Sequence, residues 1–461
     1  MQAFPTGMSK RARSVVRAMA PNHIVNTTAL LMALWLGIAL PAWASDLGPL
    51  DLSMAVEAAL ARSQALTAQD AAARSAREAA VAAGQRPDPL LRVSLNSLPI
   101  EGDNRFSTST EPMTSKAVSL MQAFPAEGKR QARSQRFERE AEVALATRAL
   151  RAASLRRDTA IAWFERHAQE QRAALLRAQL SENRLQLQAA EAATRGGLPA
   201  GTSSPSVDWL NARDAVAQTQ QALLGAEAGL VNARQALARW TGMAPDRPLG
   251  DAPALTPLAL SATGFAPHLK QHPDLALASA RLATAEADAE MARQDRKPDW
   301  SAELMFSHRR PRYDNMVSLA VSVPLQWDRA QRQDRVLAAR LARADELQAE
   351  REERAREALA ETERWLAAWR AGLEQLALID RERLPWARQR VDLAQATYRG
   401  GNARLGDVLA TRRTALALEM ERVDLHLSTA LLWARLKYLL PDVFPSDAAP
   451  LASTATTTQK D

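Results

Sequence analysis

Arg86-Pro87-Asp88-Pro89-Leu90-Leu91-Arg92-Val93-Ser94-Leu95 and Lys297-Pro298-Asp299-Trp300-Ser301-Ala302-Glu303-Leu304-Met305-Phe306 occupy matching places in the two halves of a 461-residue chain. Each begins basic-Pro-Asp, follows an Ala-rich helical segment (Ser53 to Gln85; Ala266 to Arg296) and passes into a run suited to a strand. Proline interrupts a helix and biases the residue before it towards extended backbone, so both junctions read as helix to strand. Self-similarity of this kind means that one structural unit is written twice, and that decides the fold.

The repeat extends outward from these junctions. The first strands, about 90–98 and 300–308, are followed by polar, turn-rich stretches, Pro99 to Ser115 and Ser307 to Asn315, and then by second strands, about 117–124 and 317–324. Val317, Leu319, Val321 and Val323 fall on one face of the last strand and Ser318, Ala320 and Ser322 on the other, the period-two pattern of a strand with one apolar side. Basic turns come next, Glu127-Gly128-Lys129-Arg130 and Asp328-Arg329-Ala330-Gln331-Arg332. Long helices are predicted over about 134–194 and 332–399; the first would measure about 90 Å at 1.5 Å per residue, and Pro385 should kink or break the second. Leu359, Leu366 and Leu373 with Trp369 and Leu376, and Leu409, Leu416 and Val423 with Met420 and Leu427, keep coiled-coil spacing. Arg195-Gly196-Gly197 and Arg399-Gly400-Gly401 end the long helices, glycine tolerating positive φ, and returning helices over about 207–240 and 406–440 close two antiparallel hairpins. The repeats therefore span 45–250 and 251–445, and a tail, 446–461, rich in Ala, Ser and Thr, is read as disordered.

Composition agrees with long helices and excludes much chemistry. Ala, Leu, Arg, Glu and Gln dominate, aromatics make up 5 %, and there are only 3 Tyr. No cysteine is present, which removes disulfides, thiolate metal sites and thiol nucleophiles. Of the formal charge of +7, Lys10, Arg11, Arg13 and Arg17 supply more than half, and 1–44 contains no acid. The rest is nearly balanced and carries no footprint for nucleic acid. Those cations precede the apolar run Ala29 to Leu40 and the small-x-small site Ala42-Trp43-Ala44, so 1–44 reads as a cleaved signal peptide starting at Met1 or Met8. Without a cysteine the exported chain has no N-terminal lipid anchor, and after the leader no apolar run reaches the roughly 20 residues of a membrane helix. Membrane insertion, if it occurs, must use strands in a closed barrel.

The order helix, strand, strand, long helix, glycine turn, returning helix, given twice over Leu47 to Leu440, resembles the TolC-like outer-membrane factors of Gram-negative efflux systems. The most specific piece is Tyr398-Arg399-Gly400-Gly401 through Gly406-Asp407-Val408-Leu409; Gly128-Lys129-Arg130 and the run Pro324 to Arg332 look most like the cobalt-zinc-cadmium branch. The resemblance implies a mostly α fold with a β-barrel portion: a homotrimer in which each chain gives four strands to one twelve-stranded outer-membrane barrel above a periplasmic α-barrel. It implies a passive duct for heavy-metal cations, no cofactor, and as partners a periplasmic membrane-fusion adaptor, an inner-membrane RND-type pump and outer-membrane lipid. It further implies a gate in which Tyr398 bonds Asp208, an entrance ring at Asp407, and adaptor contact at the tip turns Gly196, Gly197, Gly400 and Gly401. Two departures bear on that gate: Ala403 replaces the family's arginine with Arg404 one position later, and Ala410 stands where a second entrance aspartate would be. Asp208 and Asp407 would equally suit helix N-terminal caps, with Tyr398 a packing residue.

No catalytic constellation is found, and an enzyme is not expected. His268 and His272 have the i, i+4 spacing of a helical metal pair, but Pro267 and Pro273 flank them and nothing completes a site, so they read as structural. Met305 and Met316 lie near the strands and read as lipid-facing or packed filling rather than soft-metal contacts. The main rival is a soluble periplasmic coiled-coil scaffold, which leaves the two matching hairpins unexplained; a single-chain porin would need many more strands.

Overall fold

The computed structural model describes residues 48–195, 205–255, 272–309 and 313–439. The signal-peptide segment 1–44, Gly196, Gly197, His268 and the tail 446–461 lie outside them.

The first repeat comprises α1 (Leu52–Arg62), α2 (Gln64–Gly84), β1 (Leu90–Asn96), β2 (Ser115–Phe124), α3 (Glu127–Arg195) and α4 (Pro205–Thr241). The second comprises α5 (Pro273–Gln294), β3 (Trp300–His308), β4 (Met316–Ser322), α6 (Gln333–Leu378), a π-helical turn (Ile379–Arg383), α7 (Leu384–Arg399) and α8 (Leu405–Leu439). The chain is thus mostly α, with two copies of one unit meeting in a single four-stranded sheet of order β1-β2-β3-β4. All three strand pairs are antiparallel, and the central seam, β2 with β3, joins the repeats from Phe124 opposite Trp300 to Lys116 opposite His308.

Several boundaries differ from the sequence reading for local reasons. Strand β1 stops at Asn96 because Ser97 takes φ +56°, which a ladder cannot use. The basic stretch Gly128-Lys129-Arg130 is no turn but the first turn of α3, where Gly128 lets the Gln294 amide of α5 approach: a Cβ there would lie 2.7 Å from Gln294 Oε1 and push that side chain aside. The Ala-rich segment before β1 breaks at Ser63, whose ψ of 103° is extended. Pro385 does not break its helix: Leu384 donates its N–H to Ile379 five residues back, and the wider π turn just before the proline accommodates its missing N–H.

Helix α3, 69 residues and about 100 Å long, is the spine, with α2, α4, α5 and α8 packed along it. Its midsection holds the main core. Trp163, Phe164, Trp369 and Trp433 are buried together with Leu50, Leu237 and Leu436, and Phe164 meets Trp163 and Trp433 edge-on. Trp163 Nε1 donates to the Leu50 carbonyl at 2.9 Å, pinning the segment before α1 to the spine, where Leu50 also bridges Leu249. Buried Arg166 is satisfied by Glu170 at 2.9 Å and the Arg247 carbonyl. The heptad positions Leu366, Trp369, Leu376 and Val423 are buried.

Candidate functional site

The sheet has opposite chemistry on its two faces, and the register fixes which residue belongs to which. Leu91, Leu120, Leu304 and Leu319 form one cross-strand row; Val93, Val118, Phe306 and Val317 form the next. The side chains of these two rows lie open, from 46 % exposed at Val118 to 75 % at Val93. The opposite face carries Arg92, Ser94, Ser119, Glu303, Ser307 and Ser318, and along the central strands β2 and β3 it is the more enclosed one, with Ala117, Ser119 and Ser307 buried. A soluble sheet would show the reverse. On the enclosed face Ser119 Oγ donates to Glu303 Oε1 at 2.5 Å and Arg92 lies 3.8 Å from the same oxygen. Met305 and Met316 lie on this polar face, so of the two expectations the lipid-facing one does not hold, while Met305 is half-buried as packed filling would be.

At the helix-side end of the sheet Phe124 and Trp300 stack at 4.2 Å, and Trp327 beyond β4 is 87 % exposed. Just below, Lys129 in the first turn of α3 is buried and pairs with Asp299 at 2.9 Å, with Asp295 at 3.9 Å. The aspartate of the second basic-Pro-Asp motif therefore anchors the first repeat, a contact the sequence reading missed.

At the opposite end of the bundle, α7 closes through a Schellman motif: Asn402 N–H donates to the Thr397 carbonyl and Gly401 N–H to that of Tyr398, each at 3.0 Å. Only Gly401 has positive φ, +77°; Gly400 sits at −78°, so a single glycine performs the role expected of both. Gly401→Ala should destabilise the tip by about 1 kcal/mol in urea unfolding, whereas Gly400→Ala, whose Cβ would meet nothing closer than 3.5 Å, should be neutral.

Asp407 lies in the first turn of α8, exposed, and its Oδ2 accepts the Arg404 backbone N–H at 3.2 Å, the reach-back half of a capping box. Arg404 is also exposed. Tyr398 is half-buried on Ala190, Ala212 and Leu405, so the cluster joins α3, α4, α7 and α8 at the tip. Burial first, and the Asp208 carboxylate second, push the Tyr398 phenol above its ordinary pKa; Asp208 lies in the first turn of α4, whose next residue, Trp209, packs in the same cluster. Tyr398 and the start of α4, which carries Asp208, thus belong to one cluster, while Asp407 and Arg404 are bonded to each other and exposed. Tyr398 also lines an open groove of about 730 Å³ between α3 and the α7–α8 hairpin, beside Glu182, Gln395 and Arg412. Arg412 spans it, 2.7 Å from Glu182.

Among the described residues no cluster of three or more His, Asp or Glu could hold a metal ion. His272 caps α5 instead: its Nδ1 accepts the Asp274 N–H at 3.3 Å. Burial lowers the pKa of His272, and of His167 and His426, which face each other across α3 and α8 with ring centres 6.4 Å apart. A depressed histidine pKa means that the unfolded chain binds more protons as pH falls below about 6.5, so stability present above that value is lost below it. The melting temperature should accordingly fall between about pH 7 and 5, and His272→Asn, which can cap but not titrate, should reduce the fall.

A family model described as "Outer membrane efflux protein" matches residues 55–243 and 268–440. No curated protein matches the chain significantly. Among solved structures, CusC superposes with a TM-score of 0.73 at 17 % identity, covering 84 % of this chain and 91 % of that one. The outer membrane protein VceC of Vibrio cholerae gives 0.67 at 20 % identity, covering 84 % and 95 %. The open-state MtrE outer membrane channel of Neisseria gonorrhoeae gives 0.67 at 18 % identity, covering 84 % and 88 %.

Proposed function

Because the chain belongs to the outer membrane efflux protein family, we propose that it is the exit duct of a tripartite system. In this reading a homotrimer passively conducts heavy-metal cations outward from a periplasmic adaptor and an inner-membrane RND-type pump. It is a channel and not an enzyme, as the family is. The observation that carries the reading is the inside-out sheet: an open apolar face across all four strands and an enclosed polar one. Such a sheet suits lipid outside and water within. No described helix is long and apolar enough to cross a membrane, which leaves the sheet to do so. The exposed aromatics Trp300 and Trp327 suit a membrane interface.

One chain leaves β1 and β4 as open edges, which lipid does not tolerate, and a second copy of the chain is the natural cover. The repeat supplies the register of that seam. Asp88 corresponds to Asp299 and Pro125 to Pro324, so the internal β2–β3 pairing maps onto β4 of one copy and β1 of the next. Leu319 then lies opposite Val93, Val321 opposite Leu91 and Ser318 opposite Ser94, apolar meeting apolar on every row. Three copies close twelve strands. The leader 1–44 directs export without lipidation, the Gly400-Gly401 and Gly196-Gly197 tips meet the adaptor, and Tyr398, Asp208, Asp407 and Arg404 form the periplasmic gate and entrance.

The absence of cysteine makes the test clean. The double variant S94C/S318C should remain with the outer membrane after a carbonate wash and, on oxidation, give disulfide-linked dimers and trimers on denaturing gels. Release into the soluble periplasm would instead support the coiled-coil scaffold, and monomers alone would remove the proposed seam.

A further inference from the structure

The polar face of the sheet is built of rows two residues apart. Successive rows read Leu90, Met121, Glu303, Ala320; then Arg92, Ser119, Met305, Ser318; then Ser94, Ala117, Ser307, Met316. Each row holds one methionine, and its position moves from β2 to β3 to β4 as the rows climb away from the helices. Leu90 aside, these are the only large apolar side chains in the three rows, and the paired strands place no methionine on the apolar face. A step of two residues rises about 6.8 Å, and diagonal neighbours on adjacent strands stand about 7–8 Å apart at Cα, within joint reach of two thioethers. Ser and Ala neighbours leave them room. Met121 and Met305 are half-buried, and Met316 is 46 % exposed.

The strands contact chiefly one another, so no extensive helix packing calls for large apolar side chains on this wall, and all three methionines keep part of their surface open. A thioether is an uncharged, soft ligand that favours Cu(I)-like ions over hard divalent ones. Glu303 beside Met121 is the one carboxylate in the three rows, and its Oε1 is already shared by Ser119 and Arg92, so thioethers outnumber carboxylates along this wall. Ligands that bind softly, repeat along the axis and carry no charge suit passage rather than capture.

We propose that Met121, Met305 and Met316 form a thioether staircase that hands soft monovalent metal ions, Cu(I) or Ag(I), along the wall of the pore. The proposal rests on the channel reading, because only there does this face line a lumen, and it narrows the cargo from heavy-metal cations to soft monovalent ones.

The test uses Ag(I) in chloride-free buffer on the purified full-length protein, by titration calorimetry and by conductance in planar bilayers. Wild type should bind Ag(I), and its potassium conductance should fall when Ag(I) is added. The triple variant M121L/M305L/M316L should conduct potassium normally but bind Ag(I) at least tenfold more weakly. M54L/M291L/M420L, altered away from the sheet, should behave as wild type. Should the triple variant not assemble, the three single leucine variants carry the test, each expected to weaken binding about threefold. Equal Ag(I) isotherms in wild type and the staircase variants, or an equal loss in the control, would overturn the proposal while potassium conductance kept the channel reading intact. A wild-type protein that neither conducts nor stays in the outer membrane would overturn both.

Discussion

Leu319→Asp should strip most of the protein from the carbonate-washed outer membrane, whereas Ser318→Asp, one residue away, should leave it there. Leu319 is 73 % exposed in the middle row of the apolar face, between Leu304 on its own sheet and the open edge of β4. In the proposed barrel a charge there must either drag water into hydrocarbon or protonate, at a penalty of up to about 2 kcal/mol per chain. Ser318 points to the enclosed polar face, opposite Met305, where a carboxylate remains hydrated. The pair of neighbours thus separates sidedness from general intolerance of the strand. Equal retention of both variants would sink the lipid-facing assignment, and equal loss would mean that β4 tolerates no charge at all.

Asp299→Ala should loosen the joint between the first repeat's long helix and the second repeat's sheet. Lys129 is 5 % exposed, and its nearest counter-charge is Asp299 at 2.9 Å. Removing that carboxylate leaves an ammonium with little water and only Asp295 at 3.9 Å. Breaking a fully buried pair typically loses 3–5 kcal/mol, but Asp299 keeps 39 % of its side-chain exposure, so a loss of about 2 kcal/mol in denaturant unfolding is expected. Lys129→Met, which removes the charge and keeps the stem, should lose less, and the double variant less than the sum of the two singles. Strict additivity would mean that the two residues do not act as a pair.

Local constraints made the architecture legible before the coordinates. Proline after a basic residue marks helix-to-strand junctions wherever it falls, and the repetition of that mark at Arg86 and Lys297 yields the duplicated plan. Alternation at Val317 to Val323 likewise separates two faces. It does not say which face a neighbouring methionine takes in β3, and only the register puts Met305 with Ser318 on the polar face, although Met316 stands out of phase with Val317 and Leu319 in the sequence itself. Gly128 reads as a turn because glycine disfavours helices, yet here it lies within one, with the Gln294 side chain close against it. The Lys129–Asp299 pair joins residues far apart in sequence, and no local pattern announces it. Pro385 correctly marks an irregularity, but whether a helix breaks or widens into a π turn depends on the packing around it. At the tips, Gly400-Gly401 reads as a stop, while the division of labour between the glycines is visible only in their dihedrals.

The open apolar face also has a consequence before the protein reaches any membrane. A chain crossing an aqueous compartment with two free strand edges and a row of exposed Leu, Val and Phe residues is, for that time, a template for aggregation. The helical hairpins close over short sequence distances, but the β2–β3 seam has to wait for both repeats. Delivery therefore presents two unlike tasks. A quickly folding, water-compatible trunk must carry a late-forming, water-incompatible head, and an escort that shields Leu90–Asn96 and Met316–Ser322 until insertion would protect the whole molecule.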